Sequence, residues 1–303
     1  MPAAIFTKLS PLSKQDSDYY AKTISQINFK ADTKFCSLAK LACSASLDLI
    51  YHLDSPPTKK TPTARVYNEY AAPSTVPNQA KATTSQEKMD PFSFFRSSNL
   101  KEGDTIHLSS LQESLAQRAF LPPLIASKLS LTLKSLTKLF PHSSKGAIET
   151  TFSYCNAAPI KGELKSCPKS LEEMINFSKI TLKASKLLAL TSKTTEGSDR
   201  VLMIEKVKQF NVEKFVACHE NFLPFATYYC HSLPSSQIYA VELIEPTTRT
   251  PVNTVLAVCH MDTSSWPEEH VAFKILKFRP GQGEACHWLD EIDLVWISDG
   301  DNI

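Results

Sequence analysis

From about residue 200 to Trp296 the chain is built of short runs rich in β-branched and aromatic residues, the signature of strands. Lys214–His219, Ala226–His231 and Thr254–His260 are the clearest. The first two are joined by Glu220–Phe225, short enough for a hairpin loop and containing Pro224. Upstream the period changes. Apolar groups recur at three- and four-residue spacing from Leu108 to Leu139, interrupted by Pro122 and Pro123, which predicts two short helices. Ser143–Tyr154 and Ser170–Leu188 also read as helices, the second opening with Ser170 as cap and Glu173 in the reciprocal position. Helices followed by strands give an α+β fold, with N-terminal helices before an antiparallel β-rich body.

Residues 1–88 have a different texture. Asp54–Arg65 and Ala71–Ser85 are rich in Pro, Thr, Lys and Ala and offer little apolar area to offset the entropy of ordering, so the segment is expected to be flexible. Within it, Phe35–Ile50 carries Cys36, Leu38, Leu41, Cys43, Leu47 and Leu49 and predicts a weak helix. Cys36 and Cys43 lie two turns apart, so they can bond only if that segment bends.

The chemistry enters through four Cys-His dipeptides: Cys218-His219, Cys230-His231, Cys259-His260 and Cys286-His287, separated by 10, 27 and 25 residues. Eight Cys and eight His in 303 residues give roughly 0.2 such pairs by chance. Consecutive side chains of a strand point to opposite faces, so each pair sends sulfur one way and imidazole the other. The cysteines then cross-link one face while the histidines gather on the other. Zinc knuckles space their ligands Cys-x-x-Cys, a pattern missing here. Several imidazoles without a thiolate suit copper(II) best, ahead of zinc. The plainer alternative leaves the cysteines as disulfides and the histidines as polar filling.

Other classes are disfavoured. A net charge of +2 gives no electrostatic case for nucleic acid, and no apolar run of 18 residues exists to span a membrane. Seven Gly, none in a phosphate-binding loop, give nucleotide binding no support. An apolar content of 42% suffices for a core, and eight cysteines fit an oxidising compartment, the secretory pathway with a vacuolar or extracellular destination. Met1–Lys8 has no apolar signal-peptide region, so the chain reads as a mature or trimmed form. Asn176-Phe-Ser is a single glycosylation sequon.

From about residue 90 onward the chain resembles the BURP domain of plant secreted proteins. The four Cys-His pairs carry the resemblance, with Phe94-Phe95, Leu100-Lys101-x-Gly103, Cys155, Lys161-Gly162-Glu163-x-Lys165-x-Cys167, Asp262–Trp266, His270, Ala272-Phe273, Leu276, Pro280-Gly281 and Trp296 in support. Cys167-Pro-Lys-Ser departs from the Ala-Thr that more usually follows that cysteine. The resemblance divides the chain into residues 1–88, a flexible segment able to carry a core peptide, and residues 89–303, the BURP domain. It implies one of two lives. Some BURP proteins are cell-wall, seed or stress proteins, including non-catalytic subunits of wall enzymes. Others are copper-dependent peptide cyclases acting in cis on a core peptide of their own chain, with molecular oxygen as oxidant.

On the cyclase reading, which the expectation follows, His219, His231, His260 and His287 are the copper ligands and catalytic residues. Asp262, Glu220 and His270 are candidates to stand behind them. All three Trp lie within the domain, so the cross-link would form from a Tyr phenol, giving an ether like that of cyclopeptide alkaloids. Tyr67 and Tyr70 in Arg65–Tyr70 are the candidates, with Tyr51 as rival and Tyr19 and Tyr20 also present. Cys155 would pair with Cys167 across a turn-like stretch, and Cys218, Cys230, Cys259 and Cys286 would form two bridges of open connectivity. A zinc-stabilised interaction domain is the third reading. Nothing in the sequence speaks to oligomeric state.

Overall fold

The strand-like half of the chain folds into two antiparallel sheets. A computed structural model describes residues 2–26, 29–43, 93–108, 111, 118–194 and 200–300. In the larger sheet, β1 (Phe94–Phe95), β2 (Thr105–Leu108), β5 (Lys193–Thr194), β6 (Arg200–Gln209), β9 (Ser236–Ile244), β10 (Pro251–His260) and β11 (Ala285–Trp288) run in the order β1-β11-β10-β9-β6-β2, with β5 on β10. The smaller sheet orders β3 (Leu164–Ser166), β4 (Leu187–Leu190), β7 (Val216–Glu220), β8 (Tyr228–Ser232) and β12 (Leu294–Ser298) as β3-β8-β7-β12-β4. N-terminal helices followed by disulfide-bonded antiparallel sheets make this the expected α+β fold.

The sheets pack face to face. Ile238, Leu256 and Val258 from the larger sheet share one buried cluster with Ala217, Val295 and Ile297 from the smaller. Outer faces are buried too. Val216, Cys218 and Cys230 lie under Leu171 and Met174 of α7 (Leu171–Leu182), whereas Cys259 and Cys286 pack with Phe95, Leu108, Leu111 and Trp288. Strands buried on both faces carry no exposed alternate positions, as in the wholly buried Val216–Glu220.

Helix α7 starts as expected, with the Ser170 hydroxyl accepting from the Glu173 amide. The Glu173 carboxylate reaches back to the Lys169 amide, one residue beyond a regular capping box. The helix does not continue to Leu188. Lys183 takes a left-handed conformation (φ 52°), and Leu187–Leu190 pairs with β12 as a strand. Its apolar run fits either period, and the open sheet edge decides. The expected Leu108–Leu139 helices also differ. Leu108 ends β2, and Pro122 and Pro123 open α4 (Pro123–Ala126), the first-turn site where a missing amide hydrogen costs nothing. After it comes α5 (Leu133–Leu139). The expected Ser143–Tyr154 helix is α6 (Lys145–Asn156), and α8 (Val271–Leu276) interrupts the strands.

Within 1–88 the described residues are folded, which corrects the expectation of flexibility for that part. They form α1 (Ala3–Phe6), α2 (Lys14–Ile24) and α3 (Thr33–Leu38). Tyr20, Ala21, Phe35 and Cys36 join Ile125, Leu136, Phe140, Leu223 and Phe225 in one cluster. The chain turns after α3, where Lys40 has φ 50°, and the bend lets Cys36 bond Cys43. The Pro/Thr-rich stretches that prompted the flexible reading, and with them Tyr51, Tyr67 and Tyr70, lie outside the described residues.

Candidate metal centre

The four Cys-His pairs sit at equivalent places in the two sheets. On β7 and β8, Cys218 lies directly opposite Cys230; on β10 and β11, Cys259 lies directly opposite Cys286. Each facing pair is a disulfide, with Cα atoms 3.9 and 4.0 Å apart. Cys155 bonds Cys167 and ties the end of α6 to the residue that follows β3. Strand alternation then turns the following histidines to the opposite face, between the sheets. His219 and His231 lie diagonally across one ladder, and His260 and His287 across the other.

The four rings close a circuit. Centroid separations are 5.5 Å for His219–His231, 6.1 Å for His231–His260, 5.6 Å for His260–His287 and 5.6 Å for His287–His219. None of the four is more than 4% exposed. Each ring uses Nδ1 on its outward side. His219 meets Asp293 Oδ2 at 3.2 Å, His231 meets Glu163 Oε1 at 3.2 Å, His260 meets the Ser236 hydroxyl at 2.9 Å and His287 meets the Trp288 carbonyl at 3.2 Å. In a neutral ring with its proton on Nδ1, Nε2 carries the lone pair that binds a metal.

Electrostatics keep three of these rings neutral. Burial lowers the pKa of His231, with the charge of His219 acting in the same sense and Glu163 opposing. Burial takes His260 well below its ordinary value, reinforced by His231, His219 and His270. His287 is likewise held well down by burial, then by His260 and His219. Glu163 is pushed up by burial, but its bonds to His231, Tyr229 and the Ile160 amide prevail and hold it below the usual carboxylate range. Burial, followed by Glu163, keeps the Tyr229 phenol protonated, and its hydroxyl donates to Glu163 Oε1 at 2.5 Å.

The donor set fits a borderline divalent ion: four imidazoles, buried surroundings, and an oxygen behind each ring. The spacing is slightly wide. Bonds of about 2.0 Å to Nε2 would put neighbouring ring centres about 4.5–5 Å apart, so the circuit would close by roughly 0.5–1.5 Å. As placed, no group of three or more His, Cys, Asp or Glu side chains among the described residues forms a ready metal site.

Beside His231 and His260 opens a pocket of about 60 Å³, lined also by Tyr229, Trp266, His270, Glu163 and Lys165. Trp266 stands 5.2 Å from His260 and 4.3 Å from His270, centre to centre. Of the three residues expected behind the ligands, only His270 is beside the ring. Asp262 is exposed and accepts from the Ser264 amide. Glu220, one position beyond His219, points to the other face and binds Lys8 and Arg118. Sequence reasoning missed Asp293, Ser236 and the roles of Glu163 and Tyr229. Glu163 lies in the Lys161-Gly-Glu motif, and Asp293 is an acidic residue entering a buried strand.

The family model of the BURP domain matches residues 93–298, from β1 to the end of β12. The chain belongs to the BURP family. This BURP chain is 36% identical over 218 residues to the polygalacturonase-1 non-catalytic subunit beta of Solanum lycopersicum, covering 69% of the chain and 34% of that protein. It is 37% identical over 218 residues to polygalacturonase 1 beta-like protein 1 of Arabidopsis thaliana, covering 69% and 35%. Against BURP domain-containing protein 16 of Oryza sativa subsp. japonica it is 35% identical over 216 residues, covering 68% and 62%. The BURP chain thus spans about a third of the polygalacturonase subunits it matches. Eight bridged cysteines and plant relatives of this kind fit a secretory or extracellular fate. No described helix is long and apolar enough to cross a membrane.

Proposed function

We propose that this chain is a secreted, non-catalytic BURP protein that acts in the plant cell wall as an accessory to a polygalacturonase. The observation that carries this reading is 36–37% identity across the BURP domain to proteins named as non-catalytic polygalacturonase subunits and their like. The architecture suits a durable partner. Four disulfides and a buried ion pair between the N-terminal segment and β7 resist unfolding where proteases are abundant. The test mixes the full chain with a plant polygalacturonase and passes the mixture over immobilised homogalacturonan. Co-elution with the enzyme, or retention on the polysaccharide, is expected; neither would remove this reading.

A second reading is favoured by the ring of imidazoles beside an aromatic-lined pocket. It is copper-dependent macrocyclisation of a Tyr-containing core peptide in the chain's own N-terminal region, with Tyr51, Tyr67 and Tyr70 as candidates. His219, His231, His260 and His287 would hold the ion, and copper would supply the oxidation that joins a phenol oxygen to a nearby carbon while dioxygen accepts the two hydrogens. Trp266, His270 and Tyr229 would seat the incoming ring, and their apolar faces would keep water from it. Incubation of the pure chain with copper and air should then remove two hydrogens from one tyrosine peptide. An unchanged peptide mass in folded, copper-loaded protein would leave the accessory reading alone.

A further inference from the structure

The four imidazoles are not equivalent, because different groups stand behind them. Both rings of the smaller sheet are backed by carboxylates, His219 by Asp293 and His231 by Glu163, each at 3.2 Å. Both rings of the larger sheet are backed by neutral oxygens, His260 by the Ser236 hydroxyl and His287 by the Trp288 carbonyl. The carboxylates are buried, with 4% of the Asp293 side chain and 6% of the Glu163 side chain exposed. A carboxylate oxygen at this distance accepts from Nδ1–H, which leaves the ring's lone pair on Nε2.

Each carboxylate is held from its own side. Asp293 Oδ1 accepts from the Glu220 amide at 3.3 Å and Oδ2 from the Asp290 amide at 3.2 Å. Glu163 Oε2 accepts from the Ile160 amide at 3.0 Å, and Oε1 from Tyr229. Other nearby charges are engaged elsewhere. Lys165 is partly exposed and gives its ammonium to the Tyr154 carbonyl, and Glu220 binds Lys8 and Arg118 on the far face of β7.

We propose that Glu163 and Asp293 are positioning residues: they hold His231 and His219 as Nδ1–H tautomers and leave Nε2 of each as the metal-binding atom. This rests on the ring being a metal centre, the feature behind the second reading above.

The test uses the full oxidised chain with ¹⁵N-labelled histidine, stripped of metal. Imidazole ¹⁵N spectra should show His219 and His231 as Nδ1–H tautomers. Glu163→Ala should scramble His231 alone, whereas Glu163→Gln, whose amide oxygen still accepts, should keep its tautomer. Titration with copper(II) or zinc(II) chloride should show uptake by the wild-type chain. Affinity should fall about 10-fold in Glu163→Gln and Asp293→Asn, and about 100-fold in Glu163→Ala. If Glu163→Ala does not fold, Asp293→Ala and the His219 tautomer carry the same test. An unchanged tautomer in the folded alanine variant overturns positioning. Wild type that takes up neither ion overturns the metal reading, while the spectra of the metal-free chain still judge positioning.

Discussion

Glu220 grips Lys8 at 2.9 Å, with both side chains almost wholly out of solvent. Arg118 reaches the same carboxylate at 2.7 Å, so the residue that follows His219 in sequence ties the N-terminal segment to β7 from the opposite face. Removing one member of such a group strands the others in a dry site. Lys8→Met should lower unfolding stability by roughly 3–5 kcal/mol in urea denaturation. Hydrogen exchange should quicken at the Phe120 amide, which donates to the Lys8 carbonyl at 2.7 Å. Protection unchanged at both ends would mean the segment is held by its apolar contacts alone.

The cross-strand bridges close loops of different length, Cys218–Cys230 with a sequence separation of 12 and Cys259–Cys286 with 27. Replacing each pair by Ser should cost about 3 and about 3.6 kcal/mol respectively from lost chain constraint. Guanidinium melts of the two double variants give the comparison. The shorter loop proving the costlier would point to strand geometry, not loop entropy, as the source.

Acid should destabilise the metal-free chain. His231, His260 and His287 all have native pKa values below the ordinary histidine value, burial being the first cause in each. The unfolded chain takes up protons below pH about 6.5 that the native chain refuses, so stability present above that pH is lost as pH falls toward the native values. The loss approaches about 1.4 kcal/mol per pH unit for each group once its unfolded form is protonated. Denaturation midpoints between pH 7.5 and 5 measure it, and replacing His260 by Gln should flatten the slope.

Gly162 sets the position of Glu163. Its φ is 82°, and a Cβ there would lie 2.9 Å from Pro234 Cγ. Gly162→Ala should therefore cost about 1–3 kcal/mol and shift the turn that brings Glu163 to His231. Thermal melting gives the first quantity, and the His231 imidazole ¹⁵N shifts report the second.

Much of this arrangement could be read from the chain because strand alternation is local. Four Cys-His pairs on strands lead directly to sulfur on one face and imidazole on the other, whatever the strand order. The carboxylates behind the rings were not legible in that way. Glu163 comes from the turn before β3, 56 residues upstream of His219, and Asp293 from the entry to β12. Only pairing of distant segments brings them to the site. Glu220 was misread for the opposite reason: adjacency in sequence suggested proximity, but on a strand it puts the side chain on the other face. The Leu187–Leu190 strand, whose first two residues were read as the end of a helix, shows the same dependence on tertiary context, since its apolar residues become a strand only against β12.

The ring is divided two and two between the layers, so neither sheet alone can offer more than half of it. The centre is thus a property of the closed sandwich, and any occupant would act as a rivet through its seam. Prising the layers apart would dismantle it at a stroke, even with every covalent bridge intact.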